Sequence, residues 1–404
     1  MNSANSNWRT PAVVLVCGSI VLMLSLGTRQ SFGLYLRPMS FDLGWGREVF
    51  AFAVALQNLV WGLAQPFAGM VADKFGAARV VIAGALLYAL GLVLMANSES
   101  ALMLDFSAGL LIGLGLSGTT FGIVMSSIGQ ASPPAKRSLA MGIAGAGGSF
   151  GQFVMLPYGQ LLISQWGWLA ALLAMAASVC LMVPLGAALA GKNPAANSTN
   201  QSLKAALHEA ATHKGFWYLT LSFVVCGFQT IFIMTHLPAY LMDKGMTANQ
   251  GMVALALVGL FNIFGSYLSG LLGGRYSKKY LLTWIYVVRA VIIAAYISLP
   301  LSELSTWIFA AVMGLTWLGT VPLTNGLVAQ IFGVKYLSTL FSIAFLGHQL
   351  GAFAGAWYGG YMFDLTGSYM AVWLVAIGLS VVAALLCLPI DERTLERAPA
   401  GAVT

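Results

Sequence analysis

From Ala12 to Leu36 the sequence runs through mostly apolar residues, far enough for one helix to cross a bilayer. Eleven more such runs follow, bounded by polar or Pro/Gly-rich turns. In the first half they cover about 12–36, 48–71, 78–97, 101–125, 138–163 and 168–190. In the second half they cover about 216–240, 249–272, 279–299, 303–327, 337–361 and 369–390. Inside lipid every backbone polar group must be satisfied by the chain itself, so runs of this length predict an all-α membrane protein of twelve transmembrane helices. Composition agrees. Of 404 residues 59% are hydrophobic and only 8% charged, whereas a soluble domain needs about a quarter charged. The first run is too long for the core of a cleavable signal peptide, and none is expected. The four cysteines (Cys17, Cys180, Cys226, Cys387) fall in apolar segments without ligand spacing, so neither metal nor cofactor is expected.

The basic residues fix the orientation. With the N-terminus inside, Arg9, Lys74, Arg79, Lys136, Arg137, Lys192, Lys204, Lys214, Arg275, Lys278, Lys279, Lys335, Arg393 and Arg397 fall on the cytoplasmic side. Only Arg37, Arg47 and Lys244 fall outside. This bias predicts an N-in, C-in multi-pass protein of the cell inner (plasma) membrane. It also gives the net charge of +7 a topological reading, so no nucleic-acid partner is expected. The two remaining basic residues, Arg29 and Arg289, lie inside the membrane.

Gly191–Gln201 is the one clear linker, and Ser202–Lys214 reads as a short amphipathic helix at the cytoplasmic interface. The expected organisation is a six-helix bundle over 1–190, a linker over 191–214 and a second six-helix bundle over 215–404. The bundles repeat each other. At a shift of about 200 residues Phe32, Pro38 and Gln130 meet Phe232, Pro238 and Gln330. Gly147, Gly151, Phe153, Gly159 and Gly167 likewise meet Gly347, Gly351, Phe353, Gly359 and Gly367. Parallel repeats around a midplane site suit an alternating-access transporter.

Between spans 2 and 3 stands Gly69-x-x-Ala72-Asp73-Lys74-Phe75-Gly76-x-x-Arg79, which resembles the signature loop of the major facilitator superfamily. The stretch Lys136–Gly147, followed by Gly151, resembles the span-5 signature of the monocarboxylate porters within it. The resemblance covers the whole chain at fold level and two motifs at subfamily level. It implies that Asp73, with Lys74 and Arg79, serves the cytoplasmic gate. Two features depart from these relatives. The acidic-glycine-aromatic signature of span 1 is replaced by Gly27-Thr28-Arg29-Gln30. The span-8 arginine shared by the porters and the oxalate:formate exchanger is missing, that neighbourhood reading Asn262-Ile263-Phe264-Gly265-Ser266.

An arginine at a helix centre costs roughly 2.5–3.5 kcal/mol to insert. Arg29 therefore needs water, an acid or an anionic ligand. A guanidinium holds a carboxylate through two parallel charge-assisted bonds and cannot shed its charge, which makes Arg29 a candidate substrate anchor. The alternative is a structural ion pair, for which Asp105, near the outer end of span 4, is the expected partner and a candidate for proton coupling. His348, deep in span 11, is a candidate proton carrier or anion ligand, or else a packing residue. Arg289 in span 9 is either a structural support or a ligand contact. Gln57, Asn58, Gln152, Gln229 and Asn262 are midplane polar residues that line a cavity or bond between helices. Tyr35, Phe121 and Trp317 could wall the organic portion of a substrate.

The sign of the buried charge weighs most on function. Both mid-span charges are positive, so the expected cargo is a small organic anion, most readily a monocarboxylate, moved by proton symport. Anion exchange and uniport are the alternatives. Drug/proton efflux is a weaker reading, because no acid lies mid-span and Gly147-Gly148-Ser149-Phe150-Gly151 lacks the proline of drug antiporters. No nucleophile-base constellation or phosphate loop argues for an enzyme. The terminal tails are too short for a signalling domain, and the expected state is a monomer in contact with lipid.

Overall fold

The computed structural model describes residues 8–133, 137–190, 202–333 and 336–395, with the side chains of Asp73, Arg137, Ser138, Leu139 and Ser338 outside that description. The 191–201 linker and Lys136 fall outside it as well. All regular structure among the described residues is helical. Eleven stretches are long and apolar enough to cross a membrane. One of them, Ala140–Leu189, spans 50 residues, and a straight helix of that length would reach about 75 Å, more than twice a bilayer. Its backbone reverses at Gly167, where φ is +79° and only glycine is at ease. That stretch therefore supplies spans 5 and 6, and the crossings number twelve.

In chain order the remaining spans are as follows. Span 1 is Pro11–Gln30 continued by Gly33–Asp42, span 2 is Arg47–Phe75 and span 3 is Ala77–Ala96. Span 4 joins Ala101–Leu104, a π-helical Asp105–Leu111, Ile112–Thr119 and Phe121–Ala131. The surface helix Leu203–Thr212, N-capped by Ser202, precedes span 7, Lys214–Asp243. Spans 8 and 9 are Ala248–Gly273 and Lys278–Ser298. Span 10 is Glu303–Thr316 with Thr320–Phe332, span 11 is Leu337–Thr366 and span 12 is Met370–Cys387.

Within each set of six, glycines let helices approach to backbone contact. A Cβ on Gly27 would strike the Gly151 carbonyl of span 5, and one on Gly151 would strike Met23. In the second set a Cβ on Gly227 would strike the His348 carbonyl of span 11, and one on Gly351 would strike Val224. Span 1 thus packs on span 5 as span 7 packs on span 11, through glycines 200 positions apart. Without a hydrophobic force between helices in lipid, such close approach is the principal source of association.

The two sets meet along two seams, span 2 against span 11 and span 5 against span 8, with the outer part of span 1 against span 7. At the outer end these seams carry charged contacts. Toward the basic end, Gly69, Gly142 and Gly270 have open space where a Cβ would project.

Candidate functional site

The first helix of span 1 ends one residue past Arg29, and Ser31 turns the chain by bonding back to the carbonyls of Gly27 and Thr28. Arg29 therefore sits in a C-terminal last turn, where unpaired carbonyls favour a cation. Its side chain is only 3% exposed and points across the seam. Nη2 donates to Asn58 Oδ1 on span 2. Nη1 meets Met234 Sδ on span 7 at 3.8 Å. The guanidinium carbon stands 4.9 Å from the Trp61 ring centroid, and Nε has no partner. No carboxylate among the described residues forms an ion pair with it. A full charge is thus buried between the two sets of helices with one amide, one thioether and one ring face to answer it.

The expected Arg29–Asp105 pair is corrected by this geometry. Asp105 instead lines a crevice of about 210 Å³ at the outer end with Glu48, Val49, Phe52 and Ala101. Its carboxylate opens the π-helical turn of span 4, and its Oδ1 has no hydrogen-bond partner. The carboxylate stays at the outer end of span 4 while the Arg29 guanidinium is taken up by Asn58 and Met234 on the seam, so the two do not meet.

Asn58 extends the polar contact of Arg29 into the second set of helices. Its side-chain amide donates to Val54 O at 2.7 Å, and its own carbonyl accepts from Gln349 Nε2 at 3.3 Å. Gln349 Oε1 in turn lies 3.0 Å from His348 Nδ1. The His348 ring is stacked on Phe345, with centroids 5.7 Å apart, and touches Phe223 at 4.7 Å. Phe345 meets Trp61 edge-on at 5.4 Å across the seam. Arg29, Asn58 and His348, three residues singled out from the sequence, are thereby joined in one chain of contacts. Gln349, Trp61 and Phe345 complete it and were not singled out. Asn58, Trp61 and Gln65 follow at i, i+3 and i+7 on span 2, so their common face was available as a signal. Trp61 Nε1 is held there by Gln65 Oε1 at 2.8 Å and Thr120 Oγ1 at 3.1 Å.

Arg289, Gln229 and Trp317 belong to a different cluster, inside the second set. Arg289 is fully buried and donates to Gln229 Oε1 at 3.2 Å, Trp317 O at 2.6 Å and Thr316 O. Those carbonyls end the first helix of span 10, whose break at Trp317–Gly319 leaves them without helical donors. Gln229 donates onward to Ala376 O and Ser380 Oγ of span 12. The cluster fastens spans 7, 9, 10 and 12 together, apart from the Asn58, Met234 and Trp61 contacts of Arg29.

Gln152 and Asn262 lie on the other seam. Gln152 Nε2 donates to Leu255 O at 3.2 Å, and Asn262 Nδ2 donates to Ser149 Oγ at 3.0 Å. Asn262 also receives the Leu318 N–H at the span-10 break. Gln57 bonds within the first set, to Ala108 O at 2.9 Å. Tyr35 is buried toward the outer end with no partner for its hydroxyl. Phe121 is half-buried beside Gly148. Lys74 and Arg79 are exposed at the cytoplasmic end, Lys74 over the Phe75 ring. The Asp73 side chain lies outside the described residues.

The model of the Major Facilitator Superfamily matches residues 18–356. The chain belongs to this superfamily. Monocarboxylate transporter 13 of Bos taurus is 26% identical over 360 residues, covering 87% of this chain and 83% of that protein. The uncharacterized MFS-type transporter YhjX of Escherichia coli is 24% identical, covering 86% of this chain and 87% of its own. The fold matches a solved bacterial homologue of the human lysosomal transporter Spinster in an inward-facing, unoccupied conformation. Its TM-score is 0.73 at 15% identity, over 96% of this chain and 95% of that one. Membership makes the chain a membrane transporter with a small-molecule cargo rather than an enzyme.

Proposed function

We propose that this superfamily member moves a small organic anion, most readily a monocarboxylate, across the cell inner membrane by alternating access. The observation that carries the reading is the state of Arg29: charged, 3% exposed, between the two sets of helices, and without an acidic partner among the described residues. A charge left in that condition costs several kcal/mol, and a carboxylate would supply the missing partner through paired N–H donors. The Trp61 and Met234 side chains beside it, with Phe345 edge-on to Trp61, suit a short apolar tail. The naming of several similar proteins as monocarboxylate transporters supports the same class.

Asn58, Gln152 and Asn262, on the facing surfaces of the seams, are proposed to rearrange as the seams open, with Tyr35 and Phe121 as outlying wall positions. Arg289, Gln229 and Trp317 are proposed to hold the second set rigid. His348, coupled to Arg29 through Gln349 and Asn58, is the proposed proton carrier for symport, with Asp105 a second proton site beside the outer crevice. Asp73, Lys74 and Arg79 are proposed to close the cytoplasmic end when the outer end opens. The protein is proposed to act as a monomer.

The test is uptake of a radiolabelled monocarboxylate panel into proteoliposomes, with and without an inward proton gradient. Uptake accelerated by external acid, and loss of the acceleration when His348 and Asp105 are both neutralised, would support symport. Equal rates with and without the gradient would contradict it.

A further inference from the structure

Span 2 begins at Arg47 with Gly46 in the N-cap position, and Gly46 has no side chain with which to cap. The first N–H groups of a helix are left without partners unless a side chain accepts from them. Here the acceptor comes from the other set of helices. Asp364, near the outer end of span 11, accepts the Arg47 N–H on Oδ1 at 3.0 Å and the Glu48 N–H on Oδ2 at 2.7 Å. The absent side chain at Gly46 is what admits it, because a Cβ there would overlap the Asp364 carboxylate. One turn inward, a Cβ on Gly360 would sit 2.6 Å from Ala51 Cβ, so spans 2 and 11 touch at backbone distance.

A second bond crosses at the same place. Arg47 grips Asp243 of span 7 through two parallel contacts of 2.6 and 2.7 Å. It also donates to Tyr369 Oη at 3.0 Å and lies 3.7 Å from the Phe363 ring centroid. Trp357 Nε1 donates to Glu48 Oε1 at 2.8 Å. Every one of these contacts joins the first six spans to the last six, so every one is broken when the outer ends separate.

We infer that Asp364, as a cap supplied in trans to span 2, and the Arg47–Asp243 pair form the latch that holds the outer gate closed. Asp364 touches no cargo and is a positioning residue. Contacts made in one conformation only are what bias a two-state equilibrium. The inference does not depend on what is carried, so its failure would leave the anion reading standing.

The test uses full-length protein in membranes, with the four native cysteines replaced. A reporter cysteine is placed at Phe52, which faces Phe353 behind the latch at 6.1 Å, and a second at Met70 near the cytoplasmic end of span 2. A membrane-impermeant maleimide is applied from outside for the first reporter and a permeant one for the second. Asp364→Ala and, separately, Gly46→Ala should speed outer labelling roughly fivefold, the factor for losing one helix cap, while labelling at the inner reporter falls. Arg47→Asp should behave alike, and adding Asp243→Arg should slow outer labelling again. Unchanged outer labelling in the first two variants would overturn the latch. So would an equal rise at both reporters, which signifies general loosening.

Discussion

A guanidinium in the middle of a membrane protein must be answered by something, and Arg29 and Arg289 are answered differently. Arg289 meets one amide oxygen and the two carbonyls of a broken helix, all within the second set of spans. Arg289→Met would strand those acceptors, each at about 1–3 kcal/mol. The expected outcome is a melting midpoint lowered by several degrees, with anion affinity of the folded fraction unchanged; differential scanning fluorimetry and ligand titration read the two separately. Arg29 meets a single amide and lies on the seam. Arg29→Gln should abolish uptake while leaving expression and elution profile intact, and Arg29→Lys should rescue it poorly, because an ammonium lacks the planar fork. Undiminished uptake by Arg29→Gln would refute the anchor role. Both arginines were visible in the sequence as charges in apolar runs. Which carbonyls or amides they met was not, because those partners stand on other spans, and helical rotation and packing decide which of them face the guanidinium.

At the scale of elements, the glycines carry the packing. Gly27 and Gly151 bring span 1 to span 5, and Gly227 and Gly351 bring span 7 to span 11. A Cβ at Gly351 would have to displace the backbone of span 7 rather than a flexible side chain. Gly351→Ala should therefore lower stability and transport together, whereas Gly378→Ala, where nothing lies within 4 Å, should leave both unchanged. Thermal melts beside uptake assays check this. The Gly151–Gly351 correspondence was legible as a shift of 200 residues, since repeated packing requires repeated small residues. The helix breaks were less so. Span 1 interrupts at Ser31–Phe32, span 4 turns π-helical at Asp105, and both spans 4 and 10 break near positions 120 and 320. Glycines stand at these places (Gly33, Gly109, Gly118, Gly319), but glycines recur throughout the spans and so did not single them out.

At the scale of the molecule, two six-span sets meet along seams that carry charged contacts at the outer end. The positive-inside bias and the apolar runs made the twelve-span frame legible, because bilayer thickness and backbone hydrogen bonding leave few alternatives. The latch residues Arg47, Asp243 and Asp364 were not legible as a group. Each reads singly as an ordinary charge at a span end, and only the meeting of the two sets makes them partners. The proposed anion site rests on that same meeting, since Arg29 belongs to one set and Met234 and Gln349 to the other. The most direct measurement is a thermal-shift screen of mono- and dicarboxylates on the purified wild type and the Arg29→Gln variant, a ligand that prefers the folded protein raising its midpoint. A monocarboxylate that stabilises the wild type and leaves Arg29→Gln unmoved is the expected result. Equal stabilisation of both proteins, or stabilisation by organic cations alone, would contradict it.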